Sequence, residues 1–183
     1  MRPQTNCLSE TFFQEAIDTA KALDVHLQRT GRTIGPFHGL PISLKDNFNI
    51  IGKDSTIGFT SWVNDPATYN STLVELLRNA GAVLYVKTNV PTAMMIAETV
   101  NNVFGRTMNP LNRALTSGGS SGGESALIAF GGSPLGVGTD IGTCEISSSN
   151  RRLMGLRQVV LSEYRQHALV SSPFARHLVD SQL

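Results

Sequence analysis

At 183 residues, with 40% hydrophobic and 16% charged side chains, the chain is long enough for one domain with a sizeable core. A net charge of +1, with no cationic cluster longer than Arg151-Arg152, argues against binding to nucleic acid or to an acidic membrane surface. Two cysteines, Cys7 and Cys144, make no disulfide framework, no Cys/His cluster has zinc-ligand spacing, and no apolar run approaches the ~18 residues of a spanning helix. A reducing, cytoplasmic setting without signal peptide, membrane span or zinc site is therefore expected.

In chain order, Ser9 is placed to cap a helix running to about Gln28, with Phe12, Phe13, Ile17, Ala20, Leu23, Val25 and Leu27 as its apolar face and Gly31 as its stop. The apolar run Leu40 to Leu44 reads as a short strand that delivers Lys45 to its end, where Asp46 and Asn47 turn the chain. Ser71 opens a second helix with Leu73, Val74, Leu76 and Leu77 toward the core. Gly81 ends it before the strand Val83 to Lys87, an α-to-β unit suited to a parallel or mixed sheet. Ser125 to Phe130 predicts a short helix, and Leu135 to Gly138 a buried strand leading to Asp140, which is as well explained by a structural as by a catalytic aspartate. Beyond Gly142 the apolar pattern degrades. His167 and His177 have no matching partner set and read as surface histidines.

Two stretches carry chemistry. Ser117-Gly118-Gly119-Ser120-Ser121-Gly122-Gly123-Glu124 and Gly138-Thr139-Asp140-Ile141-Gly142-Thr143-Cys144 are glycine-bracketed hydroxyl or thiol sites joined by a compact segment. Glycines there let backbone amides turn toward a developing oxyanion. Lys45, at the end of an apolar strand, is placed where burial favours the neutral form that a general base needs; its other reading is a surface lysine ending a strand. The Lys-Ser/Thr ending of a phosphate-binding P-loop is absent, so nucleotide binding is not expected.

These stretches, in the order GPFHGLPISLKDN, NSTLVELLRNAGAVLYVKTNVP and TSGGSSGGESALIAFGGSPLGVGTDIG, resemble the amidase signature family from about Ile34 to Gly142. The resemblance implies an α/β fold, a mixed β-sheet covered by helices, incomplete in a chain of this length. It also implies a Ser-Ser-Lys triad that cleaves carboxamides without a cofactor. Lys45 takes the base position and Ser120 that of the bridging serine on a cis peptide. The backbone amides of Ile141, Gly142, Thr143 and Cys144 take the oxyanion hole, and Met94 sits where a family carbonyl contacts substrate, its other reading being a core methionine. The implied substrate is a small carboxamide, as for fungal acetamidase-like enzymes; the sequence is silent on oligomeric state.

The acyl-accepting serine belongs 24 positions after the bridging one, and there the chain has Cys144, preceded by Thr143 where the family has glycine. The family then continues Arg-x-Pro-Ala-Ala, whereas this chain reads Glu145 to Arg152 with no match. Ile146 to Arg151 read one base later is compatible with Ser-Pro-Ala-Ala-Thr-Gly, and Met154-Gly155-Leu156-Arg157 again resembles the family. A compensated frameshift or misplaced splice junction between Gly142 and Met154 is the expectation. The implied organisation is a helical segment over 1–33, a partial signature core over 34–142 and a divergent tail over 143–183. With nucleophile and support changed, the literal chain is expected to be an inactive family fragment, with a cysteine nucleophile as the remaining possibility.

Overall fold

The computed structural model describes residues 5–140, 155–157 and 167–171. The chain opens with strand β1 (Leu8–Thr11), then helix α1 (Phe13–Thr30), strand β2 (Pro41–Lys45), helix α2 (Thr72–Asn79) and strand β3 (Val83–Thr88). A small hairpin, β4 (Val100–Asn101) and β5 (Gly105–Arg106), precedes helix α3 (Gly122–Ala129) and strand β6 (Leu135–Asp140). Strands β7 (Gly155–Arg157) and β8 (His167–Ser171) follow. The main sheet has the order β1-β3-β2-β6-β8-β7: β3, β2 and β6 run parallel, and β1, β8 and β7 pair antiparallel to their neighbours.

The core of this sheet follows from strand alternation. Ile42 and Leu44 of β2 and Leu135 and Val137 of β6 point to one face, where Val74 and Leu77 of α2 join them with Phe12, Phe48 and Ile50. Ser43 and Lys45 therefore point to the opposite face. There α1 packs Ala16 and Leu23 on Val83, and α3 packs Ala126 and Leu127 on Val86. Parallel β2 and β3 are not in simple step. Ile42 pairs with Leu84 and Leu44 with Lys87, so β3 holds one residue more than β2 over that stretch, a β-bulge. The strands end level again, Lys45 beside Thr88, with β6 ending at Asp140 on the other side of β2. The C-terminal ends of the three parallel strands are thus together, the edge at which open α/β sheets hold substrate.

The helix expected from Ser9 starts four residues later. Leu8–Thr11 instead forms an edge strand on β3, and the Ser9 hydroxyl, rather than capping a helix, donates to Asp46 Oδ1 at 2.6 Å. Gly31 does stop α1: it adopts φ 66° and its N–H returns to the Leu27 carbonyl at 2.8 Å. Its buried face is narrower than the sequence implies, since Phe13, Ile17, Val25 and Leu27 remain exposed. Ser71 precedes α2 as expected, although its hydroxyl accepts the Asn49 N–H and makes no cap bond to the helix. Most of the expected divergent tail, including His177, lies outside the described residues. Within it, β8 pairs with β6 and β7 with β8, extending the sheet. Among the described residues no helix is long and apolar enough to cross a membrane.

Candidate active site

Lys45 is fully buried at the C-terminal end of β2. An apolar strand flanked by two parallel neighbours leaves its side chain one polar exit, over the strand ends. There its Nζ donates to Ser120 Oγ at 2.6 Å and to the Thr139 carbonyl at 3.1 Å. Lysine and serine are 75 residues apart in sequence.

Ser120 is brought to that point by the glycine-rich loop. The Gly119–Ser120 peptide is cis, and Gly118 holds φ 82°. Gly119 has no room for a side chain, because a Cβ would stand 2.6 Å from the Ile96 carbonyl oxygen and 2.8 Å from the Ala97 carbonyl carbon. Thr99 fastens the loop from the same side: its N–H and hydroxyl both reach the Gly118 carbonyl, and its Oγ1 accepts the Gly122 N–H at 3.1 Å. Ser121, the adjacent hydroxyl, is buried and turned to β6, donating to the Thr139 carbonyl at 3.2 Å. Ser120 is half-buried.

Met94 lies on the segment that leads to this contact, at the end of a 3₁₀ turn over Thr92–Met94. Ala93 and Met94 hold φ 55° and 57°, a left-handed pair that turns the chain from Pro91 toward the 96–99 stretch packed on Gly119. Met94 is half-buried, so it is not the core methionine of the alternative reading. Lys45 and Ser120 are thus in direct contact, with the Met94 segment beside the serine loop. Ile141, Gly142, Thr143 and Cys144, together with the expected break between Gly142 and Met154, lie outside the described residues.

Three buried charged groups next to this arrangement were not singled out by the sequence reading. Glu124, in the first turn of α3 and 1% exposed, accepts hydrogen bonds from Ser43 Oγ at 2.7 Å and Thr88 Oγ1 at 2.9 Å. Burial pushes its carboxyl up to about 7, against the two hydroxyl bonds and the Lys45 charge, which pull it down. Asp46 accepts from Ser9 through one oxygen and from the Ile57 N–H at 2.8 Å through the other. Lys87, fully buried on the opposite face of the sheet, donates to the Asp54 carbonyl and to Ser55 Oγ at 2.7 Å. Burial pushes it down to about 8, opposed by the carboxylates of Asp46, Glu10 and Asp54. An acid inside the small and apolar run Gly122 to Leu127, and a lysine inside VLYVKT, were the available signals. A cavity of about 340 Å³ lined by Asn49, Ser55, Trp62, Asp65 and Tyr69 includes none of the expected site residues.

The family model described as Amidase matches residues 1–157, so the likeness extends beyond 34–142 at both ends. An amidase-family protein of Curvularia clavata, kk1C, is 58% identical over 153 residues, and the acetamidase of Emericella nidulans 47% identical over 154. These alignments take in 83% and 84% of this chain but only 28% of each relative, so the chain spans little more than a quarter of their length. Among solved structures, fatty acid amide hydrolase superposes with a TM-score of 0.85 at 34% identity, over 92% of this chain and 32% of that one. A fold whose parallel strand ends carry a buried lysine against a glycine-loop serine, matched over 157 residues by one family model and by fungal relatives in sequence, places this chain in the amidase signature family.

Proposed function

We propose that the protein hydrolyses a small carboxamide to a carboxylate and ammonia, with Lys45 and Ser120 as its proton relay. The observation that carries this reading is the 2.6 Å contact between a fully buried lysine and a half-buried serine at the C-terminal edge of the sheet. Similarity to an acetamidase and to fatty acid amide hydrolase supports amide chemistry, and the acetamidase supports a small substrate.

In this scheme the side chain at position 144 attacks the amide carbon. Its proton passes to Ser120 Oγ while the Ser120 proton passes to Lys45 Nζ. The backbone amides of residues 141–144 hold the oxyanion, and the Met94 segment holds the substrate. The tetrahedral adduct collapses as the C–N bond breaks, the leaving nitrogen recovers the proton through Ser120, and ammonia departs. Water then cleaves the acyl-enzyme to the carboxylate. The reaction runs on side chains and backbone alone, with no cofactor in any step.

A second reading is favoured by one specific observation: Thr143-Cys144 and the stretch Glu145–Arg152 replace the residues that the family uses as nucleophile and its support. On that reading the 183-residue chain is inactive by itself. Ammonia release from acetamide separates the two. Turnover by the unmodified chain that is lost in Cys144→Ala establishes a thiol nucleophile. No turnover, with activity gained when the family block is restored, establishes the relay without its partner.

A further inference from the structure

The proposed scheme makes no use of Glu124, the acid buried beneath it. Glu124 sits in the first turn of α3, immediately after the serine loop, and faces the sheet. Its Oε2 accepts from Ser43, which precedes Lys45 by two positions on β2 and so shares its face. Its Oε1 accepts from Thr88, the register partner of Lys45 on β3. On β6 the partner of Ser43 is Gly136, which leaves the carboxylate its room: a Cβ there would stand 2.1 Å from Oε2. One carboxyl group therefore engages the three parallel strands at whose ends the site lies.

Hydrogen bonding alone does not require an acid at this place. Ser43 and Thr88 have second acceptors within 3.4 Å, the carbonyls of Leu135 and Leu44, so a neutral glutamine would satisfy the same neighbours without a buried charge. What the carboxylate adds is a negative charge on the face that holds Lys45. Among the described residues, Tyr85 on β3, which burial pushes up to about 12, and Cys7 ahead of β1, also raised by burial, feel it too, and both are neutral near pH 7. Lys45 is the cation that acts on it.

We propose that Glu124 is a positioning residue for the Lys45–Ser120 pair: its carboxylate ties the helix behind the serine loop to the strand that presents the lysine, and faces the ammonium form of Lys45, which is in equilibrium with the neutral base at rest and is regenerated when the lysine takes the Ser120 proton. Glu124 acts through its ionised form and exchanges no proton with substrate. Its effect on rate rests on the proposed amide hydrolysis; its coupling to Lys45 does not.

The test uses the 183-residue chain and two independent readouts. The first is the Glu124 side-chain carboxyl resonance in ¹³C NMR, followed across pH. Its midpoint is expected at about 7 in the unmodified chain and should move upward in Lys45→Met, since the ammonium form of the lysine lowers it. A midpoint that stays put in Lys45→Met overturns the inference whether or not the chain has activity. The second readout is ammonia release from acetamide by the unmodified chain or, if that is inactive, by the chain with its family block and C-terminal half restored. There Glu124→Gln lowers kcat by about tenfold or more, leaves KM within roughly twofold and displaces the pH–rate profile, while Glu124→Asp recovers part of the loss. An unchanged kcat and profile in Glu124→Gln overturns the inference. A shifted NMR midpoint without turnover in either protein sinks amide hydrolysis and leaves the coupling established.

Discussion

Lys45 Nζ and Ser121 Oγ converge on one acceptor, the Thr139 carbonyl oxygen, at 3.1 and 3.2 Å. The penultimate residue of β6 thus receives both the buried lysine and the serine next to Ser120. Ser121 also accepts the Thr139 N–H at 3.4 Å, so the serine loop and the end of β6 are laced together from both sides. Truncating that hydroxyl removes a strut but no reacting atom. Ser121→Ala is expected to cost about 1 kcal/mol of stability. In an active form of the protein it should lower kcat far less than Ser120→Ala, as paired thermal melts and ammonia-release assays will measure.

Gly136→Ala is expected to destabilise the fold by about 1–3 kcal/mol, because its Cβ meets Glu124 Oε2 at 2.1 Å and Ser43 Oγ at 2.7 Å. The clash is with the carboxylate itself, so the cost should shrink when Glu124 is shortened. A double-mutant cycle of Gly136→Ala with Glu124→Ala, read by urea denaturation, should return an interaction energy of about 1 kcal/mol or more. Simple additivity would show that the two positions are independent.

Stability should depend on pH in two separate windows of opposite slope. Glu124 has an ordinary pKa of 4.5 and a folded one of about 7, so the folded chain binds the extra proton between those values and stability falls as pH rises from 4.5 to 7. Lys87 has an ordinary pKa of 10.5 and a folded one of about 8. The unfolded chain binds the extra proton there, and this group makes stability rise from pH 8 to 10.5. Urea midpoints against pH should lose the first slope in Glu124→Gln and the second in Lys87→Met.

Cys144→Ser alone should not produce an efficient amidase. Position 144 needs the turn before it, where Thr143 replaces glycine, and the block after it, and losing even one oxyanion donor costs about 10²–10³ in rate. Replacing residues 143 to 153 with the family block and appending the C-terminal part of the Emericella nidulans acetamidase should yield acetamide turnover. In that chimera Lys45→Ala or Ser120→Ala should each reduce kcat by at least about 10³. A chimera that turns over acetamide equally well without Lys45 would sink the relay assignment.

The elements around Lys45, Ser120 and Asp140 were legible because local signals agree there: glycine at the turns, an apolar run in each strand, and motif blocks in family order. The edge strand was not. Leu8–Thr11 is too short and polar to announce itself, and its partners Val86 to Thr88 lie far along the chain, so a serine ahead of an apolar periodic stretch reads more simply as a cap. The buried acids failed for a related reason. Asp46 and Glu124 owe their places to hydroxyls and amides supplied from other elements, and Glu124 Oε2 alone depends on a serine 81 positions away. Sequence shows an acid among small residues, whereas its partners exist only once the sheet has formed.

The extra residue in β3 has a further effect: it sorts two cations. With strict alternation from Leu84, Lys87 would emerge on the face of Lys45 and Glu124, and Thr88 on the opposite one. On neighbouring strands about 4.8 Å apart, two ammonium groups would repel by roughly 3 kcal/mol at an effective dielectric of about 20. They would also compete for one carboxylate. The bulge shifts the phase by one, pairing Leu44 with Lys87 on one side and Lys45 with Thr88 on the other. Lys87 is thereby sent to the Asp54 carbonyl and Ser55, and a neutral hydroxyl takes its place beside Glu124. A single inserted residue thus decides which lysine shares a face with the acid and which is insulated from it by the thickness of the sheet.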